Sequence, residues 1–252
     1  MSASVENPEA GGGSTARAAY TARIERIFDH TADTRSLFLR IADGAGFSFI
    51  PGQFISLTLP LKEETIVRPY SIASSPEDGQ PLEICLNLVP GGAGSQYLFS
   101  LGIGDRLSFT GPFGRFALDR APDVETVFIA DGTGIAPIRP MLRRALADDH
   151  HPPMRLHYAA PTEEGLLYRR EFEESAGGDS HFGFEPILID PPPGWGGARG
   201  LLIDHVERLY VKGDNERNRR FYICGVGQPV FDLRDLLRGA GYERRAVQYE
   251  LW

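Results

Sequence analysis

Four short clusters of side chains have the types and spacing to bind a ligand. Arg68-Pro69-Tyr70-Ser71 presents a guanidinium, an aromatic ring and a hydroxyl within four residues. A guanidinium pairs with phosphate through a planar fork, and a tyrosine ring stacks on a flat heterocycle while a hydroxyl bonds its edge. The plainer alternative is a surface arginine beside a core tyrosine. Gly91-Gly92-Ala93-Gly94-Ser95 leads into a short helical pattern, so either its backbone N–H groups meet an anion or Ser95 caps a turn. Asp131-Gly132-Thr133-Gly134, followed by Ile135-Ala136-Pro137, sits between an apolar strand pattern and an amphipathic helix pattern. Glycines there let a pyrophosphate approach the backbone at a helix N-terminus; a tight strand-to-helix turn is the alternative. Phe221-Tyr222-Ile223-Cys224-Gly225 is a strand pattern ending on a thiol, which is either a ligand contact or a small core hydrophobe.

The elements that must position these clusters divide into two kinds. Over residues 20–118, short β-rich runs at 22–28, 35–41, 53–59, 69–73, 82–89 and 106–110 are punctuated by Gly, Pro and Asp, with one helix near 95–101. This half reads as an antiparallel β-barrel or sandwich. From residue 121 the rhythm becomes strand and helix in alternation, with strands at 127–130, 154–158, 185–189, 221–224 and 246–251. Helices are expected at 135–146, 168–175, 201–210 and 229–237, which argues a parallel α/β sheet binding ligands at its carboxyl edge. The predicted organisation is a flexible tail at 1–18, a β domain at 19–120 and an α/β domain at 121–252.

Composition narrows the classes of function. The 252 residues are 42% hydrophobic and 24% charged, with a net charge of −8, which disfavours bulk nucleic-acid or anionic-membrane binding. No run approaches the ~18 apolar residues of a membrane helix, and no basic-then-apolar leader opens the chain, so a cytoplasmic protein is expected. Cys85 and Cys224 are too few for a cysteine-rich zinc site or an iron-sulfur cluster, and no metal site is predicted.

In their order and spacing, the strings RPYSIAS, GGAGSQYLFSLGIGDRLSFTGPFGRF, GTGIAP and YICG resemble the ferredoxin-NADP reductase superfamily. The resemblance implies a Greek-key barrel binding FAD, then an α/β domain binding NADH or NADPH. It implies that Arg68 pairs with the FAD pyrophosphate, that Tyr70 stacks on the isoalloxazine and that Ser71 bonds its reactive nitrogen, with Pro69 part of the same cofactor site. Leu86, Leu88, Gly92, Gly94 and Ser95 would complete the FAD site. Gly132, Thr133, Gly134 and Pro137 would form the dinucleotide loop, with Cys224 and Gly225 beside the nicotinamide. The carboxyl terminus would supply an aromatic lid, Tyr249 or Trp252, with Glu250 near enough to influence flavin protonation. Catalytic roles are thus expected for Ser71, Cys224 and Glu250. Pro161 stands where many relatives have arginine, which leaves the choice of NADH or NADPH open with a lean to NADH. Electrons would pass to a separate acceptor, a ferredoxin or an oxygenase component. Reduction of free flavins and service as an electron-bridging subunit are the alternatives.

Overall fold

The computed structural model describes residues 19–42, 46–76 and 81–251. The expected tail at 1–18 and the expected lid residue Trp252 lie outside these residues. The first half is an antiparallel sheet of β1 (Ala19–Asp29), β2 (Thr34–Ile41), β3 (Phe54–Pro60), β4 (Thr65–Ser71), β5 (Leu82–Asn87) and β6 (Arg106–Phe113). Its order is β4-β3-β6-β1-β2-β5, and a bridge between Ile72 and Ile84 joins the two ends into a Greek-key barrel. Alternation explains the strands: Ala22 and Ile24 of β1, Leu37 and Leu39 of β2, and Ile55, Leu57 and Leu59 of β3 fill the interior. Residues predicted as a strand at 69–73 instead end one that starts at Thr65. Pro69 is tolerated inside β4 because this strand lies at the end of the order, where a ladder N–H is dispensable. Helix α1 (Ala93–Ser100) packs Leu98 into the same core.

The second half is a parallel sheet of β7 (Thr126–Asp131), β8 (Met154–Ala160), β9 (Phe182–Leu188), β10 (Ala198–Arg199), β11 (Arg220–Gly225) and β12 (Val247–Leu251). Its order is β10-β9-β8-β7-β11-β12. Helices α2 (Ile135–Leu146) and α3 (Arg169–Gly178) cover one face, and α4 (Leu202–Val206) and α5 (Gln228–Gly239) the other. Alternate residues of the central strands serve the two faces: Phe128, Tyr222 and Cys224 meet α2, whereas Val127, Ile129, Phe221 and Ile223 meet α5. The strand order reverses between β7 and β11, which opens a crevice at their carboxyl ends. The helix predicted over 201–210 is α-helical only to Val206 and continues as a π-helical turn over Glu207–Lys212. No helix among the described residues is long and apolar enough to cross a membrane.

The two halves share one core and one buried ion pair. Ala73, Cys85, Phe116 and Leu118 of the first half pack into the apolar cluster built around α2. Beside them Glu83 of β5 is 3% exposed and Arg139 of α2 is 8% exposed, their charges 2.7 Å apart. Arg139 also donates to the Ala73 carbonyl at 3.1 Å and to Glu171 of α3 at 2.9 Å. Glu83 Oε1 accepts from Ser36 and from Tyr168, each at 2.7 Å. Burial disfavours the Glu83 charge, but Arg139 and the two hydroxyls outweigh it and hold the carboxyl below its ordinary pKa.

Removing one partner of such a pair strands the other charge in the core. Arg139→Met should therefore cost roughly 3–5 kcal/mol, with Glu83→Leu in the same chain restoring much of it. Urea midpoints of the single and double variants test this. A single-variant loss below about 1 kcal/mol would match an exposed ion pair instead.

Candidate functional site

A cleft of about 510 Å³ lies where the two halves meet, and it gathers three of the four sequence clusters. Its barrel wall is Arg68, Pro69, Tyr70 and Ser71 from β4, with Cys85, Leu86 and Asn87 from β5. The loop entering α1 contributes Gly92, Gly94 and Ser95, and the α/β half adds Thr133, Ala136 and Val226. Asn87 Nδ2 reaches Thr133 Oγ1 at 3.5 Å and links the two walls.

The polar groups of this cleft suit a phosphorylated aromatic ligand. Arg68 is exposed, donates only to the neighbouring Val67 carbonyl at 2.9 Å, and has no carboxylate partner among the described residues. Tyr70 is half-buried, and burial pushes its hydroxyl up to about 12, so the ring is neutral. Ser71 is 5% exposed, and its Oγ is buried with no hydrogen-bond partner. A buried, unpartnered hydroxyl in a native chain calls for a ligand atom or water. Gly91, at φ 72°, turns the chain into α1, whose first residues, Ala93, Gly94 and Ser95, line the cleft. These features fit FAD: a cation and helix N-terminus for its pyrophosphate, a ring for its isoalloxazine and a hydroxyl for the ring edge.

Several expected residues play other parts. Ser95 Oγ accepts from the Val89 N–H at 3.0 Å and donates to the Gly92 carbonyl at 2.9 Å, so its hydroxyl closes the loop. Leu88 is not in the cleft lining; β5 ends at Asn87, and the Leu88 N–H turns to the Asp33 carbonyl at 2.7 Å. Pro137 is buried in the first turn of α2, where a missing N–H is harmless, and does not line the cleft. Gly132, at φ 53°, makes the turn, but Gly134 serves packing: a Cβ there would lie 2.2 Å from the Cys224 carbonyl oxygen. Cys224 is 1% exposed within the core and is not part of the cleft lining. Gly225 is likewise buried, and a Cβ on it would come 3.0 Å from Asp131 Cβ. Tyr249 accepts from Arg234 at 3.1 Å through its hydroxyl, and its ring packs on Phe231 of α5.

Glu250 lies opposite Cys224 in the β11–β12 ladder, near the carboxyl edge of the sheet. Its Oε2 is buried without a partner, and burial raises its pKa to about 7. Asp131, at the end of neighbouring β7, is also raised by burial. Two carboxyls whose proton affinity burial raises therefore flank the end of β11. The composition had not pointed to Cys85, Asn87 or Val226. Cys85 is 6% exposed, and burial pushes its thiol up to about 12, so it is an inert wall and not a nucleophile.

Comparison with known proteins agrees with this geometry. Residues 21–118 match the oxidoreductase FAD-binding domain family, and residues 128–231 match the oxidoreductase NAD-binding domain family. Ferredoxin-NADP reductase B of Sorangium cellulosum (strain So ce56) is 34% identical over 92% of this chain and 96% of its own length. The reductase component of propane 2-monooxygenase from Rhodococcus jostii (strain RHA1) is 30% identical over 90% of this chain, which spans 62% of that protein. The crystal structure of a ferredoxin NADP+ reductase from Neisseria gonorrhoeae, with bound FAD and NADP, superposes with a TM-score of 0.80. That match is 21% identical and covers 92% of this chain and 98% of the other, so it speaks for the fold.

Two measurements check the local geometry. Gly134→Ala should destabilise the chain by about 1–3 kcal/mol or more, because a backbone carbonyl must move; an unchanged melting temperature would contradict the close approach. For Glu250, whose pKa rises from 4.5 to about 7 on folding, the folded state holds the extra proton between those values. Its contribution is complete below pH 4.5 and is lost as pH rises through about 7. Glu250→Gln should then be more stable than wild type near about pH 8, with the advantage fading toward about pH 5. Parallel pH series of thermal melts test the sign.

Proposed function

From the premise that this chain belongs to the ferredoxin-NADP reductase superfamily of FAD- and NAD(P)-binding oxidoreductases, we propose that it draws electrons from NADH or NADPH and delivers them singly to a separate protein acceptor. The supporting observation is the single cleft that joins the Arg68–Ser71 cluster to the Thr133 turn across the two halves. When bound, FAD supplies two-electron acceptance from a nicotinamide and one-electron release. The chain supplies position and charge. Arg68 and the α1 N-terminus would hold the pyrophosphate, Tyr70 would stack on the ring, and Ser71 Oγ would bond its edge. Thr133 and Val226 line the facing wall of the cleft, on the α/β half. Glu250 holds a proton at its carboxyl near neutral pH, within the same end of the sheet.

A ferredoxin or oxygenase component is the proposed acceptor. Relatives named ferredoxin-NADP reductase and monooxygenase reductase support it, and these 252 residues contain two cysteines, too few to hold an iron-sulfur cluster themselves. NADH is the favoured donor. Beyond β8, Pro161 brings no charge, and Arg169 is engaged by Glu163 at 2.8 Å and Glu173 at 2.6 Å, so neither residue offers an uncommitted cation to a 2′-phosphate. Both thiols are buried and neither is in a disulfide, which agrees with a cytoplasmic setting.

Anaerobic mixing tests the reading: the FAD-loaded chain should bleach with NADH faster than with NADPH, then regain colour on adding an oxidised ferredoxin. Failure to bleach with either nucleotide would end the proposal, and recovery only with free flavin would reassign the acceptor. Tyr70→Ala should weaken FAD binding by at least the ~1 kcal/mol of a lost stacking contact, plus its buried area. Arg68→Ala should lose more affinity than Arg68→Lys, which keeps charge without the fork; equal losses in a fluorescence titration would exclude bidentate pairing.

A further inference from the structure

Tyr168 is held in a conformation that its side chain disfavours. It precedes α3 with φ 56° and ψ 17°, left-handed backbone that a bulky aromatic seldom adopts. That backbone delivers its hydroxyl to the first half of the molecule, 2.7 Å from Glu83 Oε1 and 3.2 Å from Ser36 Oγ. Its ring lies 4.0 Å from the Arg139 guanidinium carbon, and His30 packs edge-on against it at 5.1 Å. Residues from β2, β5, α2 and the approach to α3 thus converge on one buried point. None of Glu83, Arg139 and Tyr168 lines the cleft.

The placement of this cluster along its elements gives it leverage. Glu83 is two residues from Cys85 and four from Asn87, both in the cleft wall on the same strand. Arg139 is on the helix whose first turn follows Thr133, six residues earlier, or roughly 9 Å at helical rise. The two elements are joined again at the cleft by Asn87 and Thr133. The geometry points to Tyr168, Glu83 and Arg139 as a positioning unit that sets how the nicotinamide-binding half approaches the flavin cleft. A rotation of about 5° at the cluster moves the far end of a 9 Å arm by ~0.8 Å, and displacements near 1 Å cost as much as ~10²-fold in rate. The left-handed Tyr168 backbone and the five hydrogen bonds around Glu83 and Arg139 fix the direction of this contact as well as its existence.

This inference rests on the reductase reading, and its test separates the two. Tyr168→Phe removes only the hydroxyl, and Glu83→Gln keeps the shape without the charge, so each can be compared as an FAD-loaded chain with wild type. Three quantities are read: FAD affinity by fluorescence, the rate of flavin bleaching at saturating NADH or NADPH, and the long-wavelength absorbance of the nicotinamide–flavin contact. The melting temperature of the FAD-free chain is recorded beside them. The expected result is FAD affinity within about twofold of wild type, bleaching at least about tenfold slower and a weaker long-wavelength band, in both variants. Wild-type bleaching and an unchanged band in Tyr168→Phe would overturn the inference and leave the cluster a structural tie. A loss of FAD affinity in step with the rate would also overturn it, by placing the effect in the cleft. If wild type binds FAD and neither nucleotide bleaches it, the reductase reading fails first and this proposal with it.

Discussion

Glu83 and Arg139 are two charges that neither half of the molecule could bury alone. A carboxylate in β5 and a guanidinium on α2 lose their water when the halves close, at a cost of roughly several kcal/mol, and only good mutual geometry offsets it: the pair meets at 2.7 Å, with Ser36, Tyr168, the Ala73 carbonyl and Glu171 as further partners. The barrel and the α/β half are therefore tied in the one arrangement that satisfies both charges. Domain pairs within a chain ordinarily move freely unless their interface is large and apolar. Here Ala73, Cys85, Phe116 and Leu118 supply the apolar part, and the ion pair supplies direction.

From that constraint the cleft follows. β5 carries Glu83 inward and Cys85, Leu86 and Asn87 toward the ligand, while α2 carries Arg139 inward and begins beside Thr133. The same helix is pressed onto β11 through Gly134, where no side chain fits against the Cys224 carbonyl. A barrel strand, a helix and a central sheet strand thus form one connected frame. The cleft residues are peripheral to it: Arg68 is exposed, and the Ser71 hydroxyl has no hydrogen-bond partner among the described residues.

Where chemistry is local in the chain, it was legible. Arg68, Tyr70, Ser71, Gly92, Gly94 and Thr133 meet in one cleft because short loops and strand ends carry them there intact. Strand and helix periodicity located both sheets, although the edge position of β4 hid its true start behind Pro69. Contacts distant in sequence were not legible. Glu83 finds Arg139 across 56 residues and Tyr168 across 85. One signal did exist: Arg139 lies on the apolar stripe of α2 with Ile135, Ile138 and Leu142, where a charge requires a buried partner. Family likeness alone points to Leu88, Pro137 and Tyr249, whose observed contacts are the Asp33 carbonyl, the first turn of α2 and Arg234.

The central claim is that a buried ion pair holds the two halves in one relative orientation. Cys85 and Cys224 are buried, so spin labels can be confined to new thiols at Ile103→Cys in the barrel half and Leu201→Cys in the α/β half, positions that are 70% and 52% exposed. Pulsed electron resonance then reads the distance between halves in solution. The account predicts one narrow distance distribution in this labelled chain, and a distinctly broader one when Arg139→Met is added at a temperature where the chain remains folded. Identical distributions with and without Arg139 would contradict it.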